Sequence, residues 1–562
     1  MLELKLLSSL HRVFTDECPD TEVNCLSCFE NEPLSFQAAF RLKEGGEEAR
    51  TLPVYMRVES ELPVTCYLVG YVPVLHTDVG IGGEHKPGLF GDMLLPKKTN
   101  PRILDIPYPW SCCYFEEGEE TTLNAACDSW QSLWICVNEN GKTLKSGSRP
   151  VRLVFHSGLD KSEIGSLTMT VRVLPDRLPK QTLKYTNWFH CDCLADYYNV
   201  PIFSDEFFRI MRSYVAAAVR NGMNMILTPA FTPPLDTPVG RERMTAQLVG
   251  VTKNNGRYSF DFSLLKKFLD ICREEGMTYF EHAHLFSQWG AKSAPKIIAT
   301  VNGRKRRIFG WETDAGGNAY TVFLHAYIPA LLDFLKQEKL DRKMLFHISD
   351  EPSEKNADSY RRALDAVGDL LDGYMTGDAL SEYLFYEKGL VKTPIAVTRT
   401  VGDFVGKCPH LWCYYTGGQI KNGLSNRILV TPPERNRMIG IQMYQARIEG
   451  FLHWGYNYYY DKLSQGLYDP KFEPCGYNNN PGTAYSVYPG RKGDAIQSVH
   501  QKNFHEAILD MRALQLLEKR RGREACEKLI EKHFGKVDFF TAPASPEQLL
   551  AFREDVNREI CG

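Results

Sequence analysis

The sequence lacks a long apolar run and an excess of charge of either sign. It has no stretch of about 18 apolar residues, so no transmembrane helix is predicted. The net charge of −3 over 562 residues and the absence of a long basic run argue against nucleic acid or an anionic membrane as a partner. Residues 1–10 interrupt their short apolar run with charges, which is not typical of a secretory signal, so a cytoplasmic location is expected.

Internal repeats, low-complexity tracts and glycine-rich nucleotide motifs are also missing. No glycine pattern lies at a credible strand-to-helix turn, and no matching Cys-x-x-Cys or His-x-x-x-His motif follows the cluster at 190–193, so no cofactor and no metal are predicted. The sixteen cysteines, including the adjacent Cys112 and Cys113, are expected to be reduced thiols because no secretory signal is predicted.

The pattern of the chain changes near residue 180, which predicts a β plus α/β protein with two domains. Short β-rich runs at 52–58, 64–75 and 167–174 are separated by glycine, proline and acidic turns, as in a β-sandwich. A proline-marked linker follows at 175–181, and short apolar strands then alternate with amphipathic stretches. We therefore predict an N-terminal β-sandwich over residues 1–178 and a catalytic (β/α)8 TIM-like barrel over residues 182–562.

Eight candidate barrel strands can be placed, with helices at 205–221 and 262–275 between the early ones. The predicted strands end near His190, Thr228, His282, Asp350, Met375, Thr398, Tyr414 and Trp454. The long insertion at 283–319 is predicted to be an active-site loop without regular structure.

The most informative segment is Phe346-His347-Ile348-Ser349-Asp350-Glu351-Pro352, an apolar run that ends in two adjacent acids and a proline. It lies between a predicted strand and the helix that follows it. In a (β/α) barrel, active sites are formed at these carboxyl ends of the strands. Neighbouring strand residues point to opposite faces, so Asp350 and Glu351 share a site only if the strand ends before them. The alternative is a helix N-terminus that the acids merely cap.

Adjacent acids do not suit the ordinary two-carboxylate glycosidase, whose acids stand roughly 5 to 9 Å apart across the scissile bond. They do suit substrate-assisted catalysis, in which the 2-acetamido group of the sugar is the nucleophile. The protein then supplies one acid/base and one carboxylate beside it.

Polar residues near the predicted strand ends are candidate ligands for sugar hydroxyl groups. His190 and Asp192 would share one face of a strand end, and the four-residue cluster 190–193 is too tightly spaced for a zinc site without a second cluster. His282 is a further candidate. The alternative for His190 and Asp192 is a structural pair whose hydrogen bonds are made within the protein. The alternative for His282 is a core histidine that is hydrogen-bonded in the same way.

Aromatic residues also collect near the predicted strand ends, where a ring could stack on the apolar face of a pyranose. The candidates are Trp412, Tyr414, Tyr415 and Trp454, with Asn457 as a polar neighbour. Core packing is the alternative for each single ring.

Four segments, at 187–193, 347–352, 450–457 and 485–490, together resemble glycoside hydrolase family 123, the retaining β-N-acetylgalactosaminidases. They occur in the family's order, and the resemblance runs from Thr182 to the C-terminus. It implies an exo-acting enzyme for terminal β-linked N-acetylgalactosamine that works through an oxazolinium intermediate. Glu351 would be the general acid/base and Asp350 the carboxylate that polarises the acetamide, and a tyrosine, Tyr414 or Tyr415, would hold the acetamide oxygen.

Two other functions stay open at this point. One is hydrolysis of another 2-acetamido sugar, such as β-linked N-acetylglucosamine, and the other is glycan binding without turnover. The expected partner is an oligosaccharide with a terminal β-linked N-acetylhexosamine. The N-terminal domain would form a wall of the pocket or a homodimer contact.

Overall fold

The computed structural model of this chain contains two compact units. Unit 1 comprises residues 1–181, 420–445 and 469–562, and unit 2 comprises residues 182–419 and 446–468. The structure describes residues 1–43, 51–75, 87–96, 114–115, 120–476 and 480–562. The residues at 469–562 therefore pack in the same unit as residues 1–181. The predicted division instead assigns one continuous segment to each domain, 1–178 and 182–562. That division stays a prediction.

The strands and helices are numbered in chain order. The strands are β1 (Leu2–Ser8), β2 (Cys25–Phe29), β3 (Leu34–Leu42), β4 (Thr51–Ser60), β5 (Val64–Val74), β6 (Gly88–Pro96), β7 (Tyr114–Phe115), β8 (Glu120–Ala126), β9 (Gln131–Val137), β10 (Gly147–Ser157), β11 (Glu163–Leu174), β12 (Lys184–Asn187), β13 (Met225–Thr228), β14 (Gly250–Asn254), β15 (Arg257–Asp261), β16 (Tyr279–His282), β17 (Ile297–Val301), β18 (Arg304–Phe309), β19 (Met344–Phe346), β20 (Met375–Leu380), β21 (Thr393–Val397), β22 (Trp412–Tyr414), β23 (Gly450–His453), β24 (Val487–Pro489) and β25 (Ala495–Ser498). The helices are α1 (Cys191–Tyr197), α2 (Asp205–Arg220), α3 (Ser263–Glu274), α4 (Asn318–Gln337), α5 (Ala357–Val367), α6 (Leu384–Glu387), α7 (Pro433–Gln445), α8 (Val499–Arg521), α9 (Arg523–Phe534) and α10 (Pro546–Cys561).

Unit 1 contains two β-sheets, which confirms the predicted β-sandwich. The strand order is β1-β3-β9-β5-β6-β25-β24 in the seven-stranded sheet and β2-β11-β10-β4-β8-β7 in the six-stranded sheet. Strand β9 is buried along its whole length, and its Trp134 packs with Tyr67 and Leu94 of neighbouring strands. The hairpin β24–β25 comes from the end of the chain and joins the sheet through β6, where Gln497 pairs with Leu94.

The helices of unit 1 are joined by buried ion pairs. Arg437 of α7 donates to both carboxylate oxygens of Asp510 in α8, at 2.7 and 2.9 Å. Arg553 of α10 donates to the same carboxylate at 2.7 Å and also pairs with Glu32. Charges buried this deeply are tolerated only when they are paired, so the network fixes how the three helices meet.

Unit 2 is built on a closed barrel of eight parallel strands, as predicted. Their order is β12-β13-β16-β19-β20-β21-β22-β23, and pairing of β12 with β23 closes the barrel. The predicted helices at 205–221 and 262–275 are observed as α2 and α3. Helix α2 begins where Ser204 accepts a bond from the amide of Phe207, an ordinary N-cap.

Two details of the predicted barrel are wrong. The strand expected to end near Met375 begins there instead. The insertion expected to be an irregular loop contains β17 and β18, which belong to a four-stranded sheet of order β15-β14-β17-β18. Strand β18 contains four successive cations, Arg304, Lys305, Arg306 and Arg307, which are exposed. Because they are all polar, this part of the sequence lacks the alternation of apolar and polar residues by which a strand is predicted.

None of the described helices is both long and apolar enough to span a membrane. Every cysteine within the described ranges is a free thiol. Cys112 and Cys113 lie outside those ranges.

Trp412 lies at the first position of β22, opposite Gly450 at the first position of β23. A β-carbon added at Gly450 would stand 2.0 Å from a carbon of the Trp412 ring. Only glycine therefore lets the ring enter the amino-terminal end of the barrel.

We expect Gly450→Ala to lower the free energy of unfolding by about 3 kcal/mol or more, because the ring and the new methyl group cannot occupy the same space. Chemical denaturation followed by circular dichroism measures this. Gly402→Ala is the matched control, since a β-carbon at Gly402 meets nothing within 4 Å. Equal stability of the two variants would contradict this account of Gly450.

Candidate active site

The two adjacent acids lie on a turn that follows β19. The strand ends at Phe346, so Asp350 and Glu351 are outside the strand and are not forced onto opposite faces. Glu351 has a φ of +43°, a left-handed conformation that is uncommon for residues other than glycine. Residues 346–352, which carry the two candidate catalytic acids, are called the catalytic turn below.

Backbone hydrogen bonds attach the catalytic turn to the segment that follows β16. The amides of Leu285 and Phe286 donate to the carbonyls of His347 and Ile348, each at 3.0 Å. The amide of Trp289 donates to the carbonyl of Asp350 at 2.9 Å. These bonds continue the pairing of β16 with β19 beyond the strands and hold the acids at the carboxyl end of the barrel.

A buried carboxylate on the next strand fixes the turn from the other side. Asp378 of β20 is fully buried and accepts the amides of Ile348 at 2.9 Å and Ser349 at 3.2 Å. The hydroxyl of Tyr360 donates to the same carboxylate at 2.6 Å. Asp378 therefore uses its lone pairs to order the residues immediately before the two acids.

Glu281 of β16 is a second buried carboxylate, also with no exposed surface. It accepts a hydrogen bond from the hydroxyl of Thr186, one from the indole of Trp188 at 3.0 Å, and one from Nε2 of His347 at 2.8 Å. His347 thus lies between two carboxylates, because its Nδ1 is 3.5 Å from Asp378.

His347 carries a positive charge in this setting. Burial alone would lower the pKa of its imidazole, but the carboxylates of Asp378 and Glu281 outweigh burial and raise the pKa to about 9. The imidazolium and the two carboxylates form a buried row beneath the catalytic turn.

The two acids of the turn have different surroundings. Burial, and next the negative charge of Glu351, raise the pKa of Asp350 well above its usual value. The hydroxyl of Tyr414, at the end of β22, donates to Oε1 of Glu351 at 2.5 Å. The raised pKa of Asp350 favours its protonated form beside Glu351.

Tyr414 is the predicted binding residue that the structure brings into direct contact with an acid. Its ring belongs to an apolar cluster with Trp188 and Leu452, and the half-buried Trp454 packs against the same cluster. Burial also raises the pKa of the Tyr414 hydroxyl well above its usual value, so this group is a donor at all ordinary pH values.

His190, Trp454 and Asn457 come together, but they bind one another. Asn457 accepts the amide of His190 at 2.8 Å and donates to its carbonyl at 3.1 Å. Nε2 of His190 donates to the carbonyl of Trp454 at 2.8 Å. These bonds tie the residues after the first barrel strand to those after the last.

Asp192 lies in helix α1, not on a strand, because β12 already ends at Asn187. The predicted shared strand face of His190 and Asp192 is therefore wrong. Arg243, a residue that the sequence analysis did not select, donates to both oxygens of Asp192 at 2.8 and 3.0 Å. Burial, together with the charge of Arg243, lowers the pKa of His190 to about 4.

Two groups of potential metal ligands occur in this region, and their chemistry does not suit an ion. In the first, His190, Asp192 and Cys193, the carboxylate is paired with Arg243 and burial raises the pKa of the thiol. In the second, His284, His347 and Asp378, the middle residue is protonated and the carboxylate accepts three hydrogen bonds. A metal needs deprotonated ligands with free lone pairs.

The structure does not bring His282, Trp412 and Tyr415 to the acids. Nε2 of His282 is 2.8 Å from the hydroxyl of Tyr327 in α4, which places its ring towards the helices. Trp412 lies at the opposite, amino-terminal end of its strand. Tyr415 packs against Phe451 and His453 and is fully buried.

Trp289 is an aromatic residue near the acids that sequence analysis missed. Its side chain is 48% exposed, and its amide holds the carbonyl of Asp350. An exposed indole on a residue whose backbone is bound to Asp350 offers a flat surface on which a sugar ring can stack. Its position within the predicted active-site insertion at 283–319 could have indicated Trp289 from the sequence.

Comparison with known proteins finds a matching family model and similar solved structures. The family model described as Glycoside hydrolase 123, catalytic domain, matches residues 188–517. A family 123 glycoside hydrolase from Clostridium perfringens, described in terms of glycolipid glycan hydrolysis, aligns over 100% of this chain and 97% of that chain. The TM-score is 0.71 and the identity is 12%, which shows a shared fold.

More distant structures align with lower scores. A family 39 glycoside hydrolase from Bacteroides cellulosilyticus covers 90% of this chain and 83% of that chain, with a TM-score of 0.32 and 9% identity. A GH5 xyloglucanase from Bacteroides ovatus covers 90% of this chain and 100% of that chain, with a TM-score of 0.30 and 6% identity. No curated protein matches the chain.

The raised pKa of His347 predicts how stability depends on pH. Its folded pKa of about 9 exceeds the ordinary value of 6.5, so its contribution is fully present below pH 6.5 and is lost as the pH rises through 9. We expect a loss of about 3 kcal/mol in the free energy of unfolding over this window. Urea denaturation between pH 6 and 9.5 measures it.

His347→Gln should abolish this dependence, whereas His410→Gln, at an exposed histidine, should keep it. An NMR titration of wild-type His347 gives an independent value of its pKa. A His347 that titrates below pH 7 would contradict the assignment of the buried charge.

Proposed function

Because this chain belongs to glycoside hydrolase family 123, we propose that it is a retaining exo-β-N-acetylgalactosaminidase that acts by substrate-assisted catalysis. The family makes the protein a glycoside hydrolase. The observation that supports the finer proposal is the placement of Asp350 and Glu351 on one turn at the carboxyl end of the barrel. Two neighbouring acids on one turn do not easily flank a glycosidic bond from opposite faces, which favours a nucleophile supplied by the sugar.

The proposed reaction has two steps. First, the acetamide oxygen attacks C1, the bond from C1 to the leaving oxygen breaks, and Glu351 gives its proton to that oxygen. Second, water attacks C1, Glu351 takes a proton from the water, and the bond from C1 to the oxazoline oxygen breaks. Two inversions at C1 leave the configuration retained.

Asp350 would direct the acetamide group. In the free protein Asp350 holds the proton of the pair, because burial and the charge of Glu351 raise its pKa. An acetamide N–H that donates to Asp350 favours its ionised form, and the proton then moves to Glu351, where the leaving group needs it. Substrate binding would in this way place the proton on the acid/base.

The remaining contacts of the site follow from its geometry. Tyr414 is the better candidate for the proposed contact with the acetamide oxygen, since Tyr415 packs on other rings away from the acids. Trp289 and Trp454 would pack on the sugar, and His190, Asp192 and Asn457 would support the rim through their mutual bonds. No cofactor enters the proposed reaction. The cytoplasmic location and the homodimer stay predictions.

Mutation of the two acids tests the mechanism. With an aryl β-N-acetylgalactosaminide, we expect Asp350→Asn and Glu351→Gln each to lower kcat by about 10²- to 10⁴-fold. Glu351→Gln should lose less activity with a dinitrophenyl leaving group, which needs no proton, whereas Asp350→Asn should lose as much with either aglycone. Initial rates with the two aglycones measure this difference.

Three sugars serve as substrates in this test: the galacto epimer, the gluco epimer and a β-galactoside without an acetamide. Turnover of the gluco epimer alone would identify a hexosaminidase of the other specificity. Equal turnover of the plain galactoside would disprove assisted catalysis. Binding without turnover of any sugar would favour a glycan-binding protein.

The pKa of Asp350 also predicts the pH dependence of the reaction. The active pair carries one proton, so activity should persist above the ordinary carboxyl range and fall as the pH rises through the raised pKa. The pH profile of kcat/KM measures this alkaline fall in activity. The residual activity of Asp350→Asn should not show the same fall. A wild-type limb near pH 4 would contradict the assignment.

A further inference from the structure

A second cleft lies within unit 2, on the loops that follow β13 and β16. It is open to solvent and has a volume of about 360 Å³. Pro233, Pro234 and Trp311 form its apolar walls. Such surfaces suit the flat apolar face of a pyranose ring.

Four cations line this cleft, and their charges are not all neutralised. Arg243 is buried and fully engaged with Asp192. Lys296 and Arg307 share one carboxylate, that of Glu242, at 2.7 and 2.9 Å.

Arg241 is the fourth cation of the cleft. Its side chain is exposed and forms no ion pair with any residue in the described ranges. Its carbonyl accepts the indole N–H of Trp311 at 2.9 Å, which fixes that ring beside the arginine backbone. Arg307 also meets the exposed Glu312 at 3.1 Å, so the cleft keeps an excess of one positive charge.

The loops that border the cleft also support the catalytic turn. Gln288 accepts the amide of Asp236 at 2.5 Å and donates to the carbonyl of Thr237, which lines the cleft. The next residue is Trp289, whose amide holds Asp350. The cleft and the acids therefore lie on the same face of the barrel, the carboxyl end of its strands.

We propose that this cleft binds an acidic sugar, bearing a carboxylate or a sulfate ester, in the part of the glycan beyond the scissile bond. The proposal rests on the proposed function for the position of that bond. A guanidinium fork matches either anion with two parallel hydrogen bonds, and one excess charge suits one anionic group. The proline and indole walls would take the ring that carries it.

Hydrolysis of matched disaccharides tests the proposal with the full chain. The substrates are terminal β-N-acetylgalactosamine linked to galactose, to galacturonate and to a galactose sulfate ester. We expect kcat/KM to be about 10-fold higher for an acidic substrate than for the neutral one, and the better acidic substrate identifies the anion.

Arg241→Gln should remove this preference and leave hydrolysis of an aryl glycoside unchanged. Arg241→Lys should keep part of it, because the charge remains while the fork is lost. Arg361→Gln, at an exposed arginine of α5, is the control and should keep the full preference. Equal kcat/KM for neutral and acidic substrates, or a preference that survives in Arg241→Gln, would overturn the proposal.

A binding measurement separates failure of this proposal from failure of the proposed function. Galacturonate, a galactose sulfate ester and galactose are titrated into the wild type and Arg241→Gln while tryptophan fluorescence is followed. Binding of either acidic sugar that requires Arg241, and that weakens with added salt, supports the cleft even if no disaccharide is hydrolysed. The absence of any Arg241-dependent binding overturns the proposal whatever the hydrolytic activity.

Discussion

The site depends on one buried row of charge, in which the imidazolium of His347 lies between the carboxylates of Glu281 and Asp378. These residues belong to or follow three successive barrel strands. Charges taken out of water are costly, and the cost is offset only if each is paired and hydrogen-bonded. Movement of any of the three strands would leave a charge unpaired, so the row holds the barrel at the position where the acids emerge.

The row also sets the electrical surroundings of the acids. Burial and the charge of Glu351 are the larger causes of the raised pKa of Asp350. Within the row, the charge of His347 lowers this pKa more than that of Asp378 raises it. The row therefore offsets part of the effect of burial on the acid above it.

Much of this architecture could be predicted from local patterns. The barrel strands are short apolar runs, and the turn at 346–352 is marked by its acids and proline, so both were found. Residues that act through contacts distant in sequence were not predicted. Asp378 and Glu281 are single acids within buried strands. A buried carboxylate is energetically unfavourable unless it is paired, so an acid in an otherwise apolar strand was the available sign of a functional or structural role.

Two physical reasons explain why some predicted binding residues lie away from the acids. Residue type and approximate position led to His282 and Trp412. Alternation along β16 turns the ring of His282 towards a helix, and Trp412 begins its strand, so it lies at the amino-terminal end of the barrel. Asp192 was placed on a strand that had already ended, because a helix begins directly after His190. Trp289 lies in an insertion whose path depends on bonds to the catalytic turn.

The pairing of β25 with β6 bears on how the protein is made. During synthesis β6 leaves the ribosome long before residues 495–498 exist, so one side of β6 lacks its partner strand until those residues have been made. An unpaired strand edge is a template for association with other chains. Forms of this protein that lack residues 495–498, nascent chains included, should therefore associate through that edge unless a chaperone covers it.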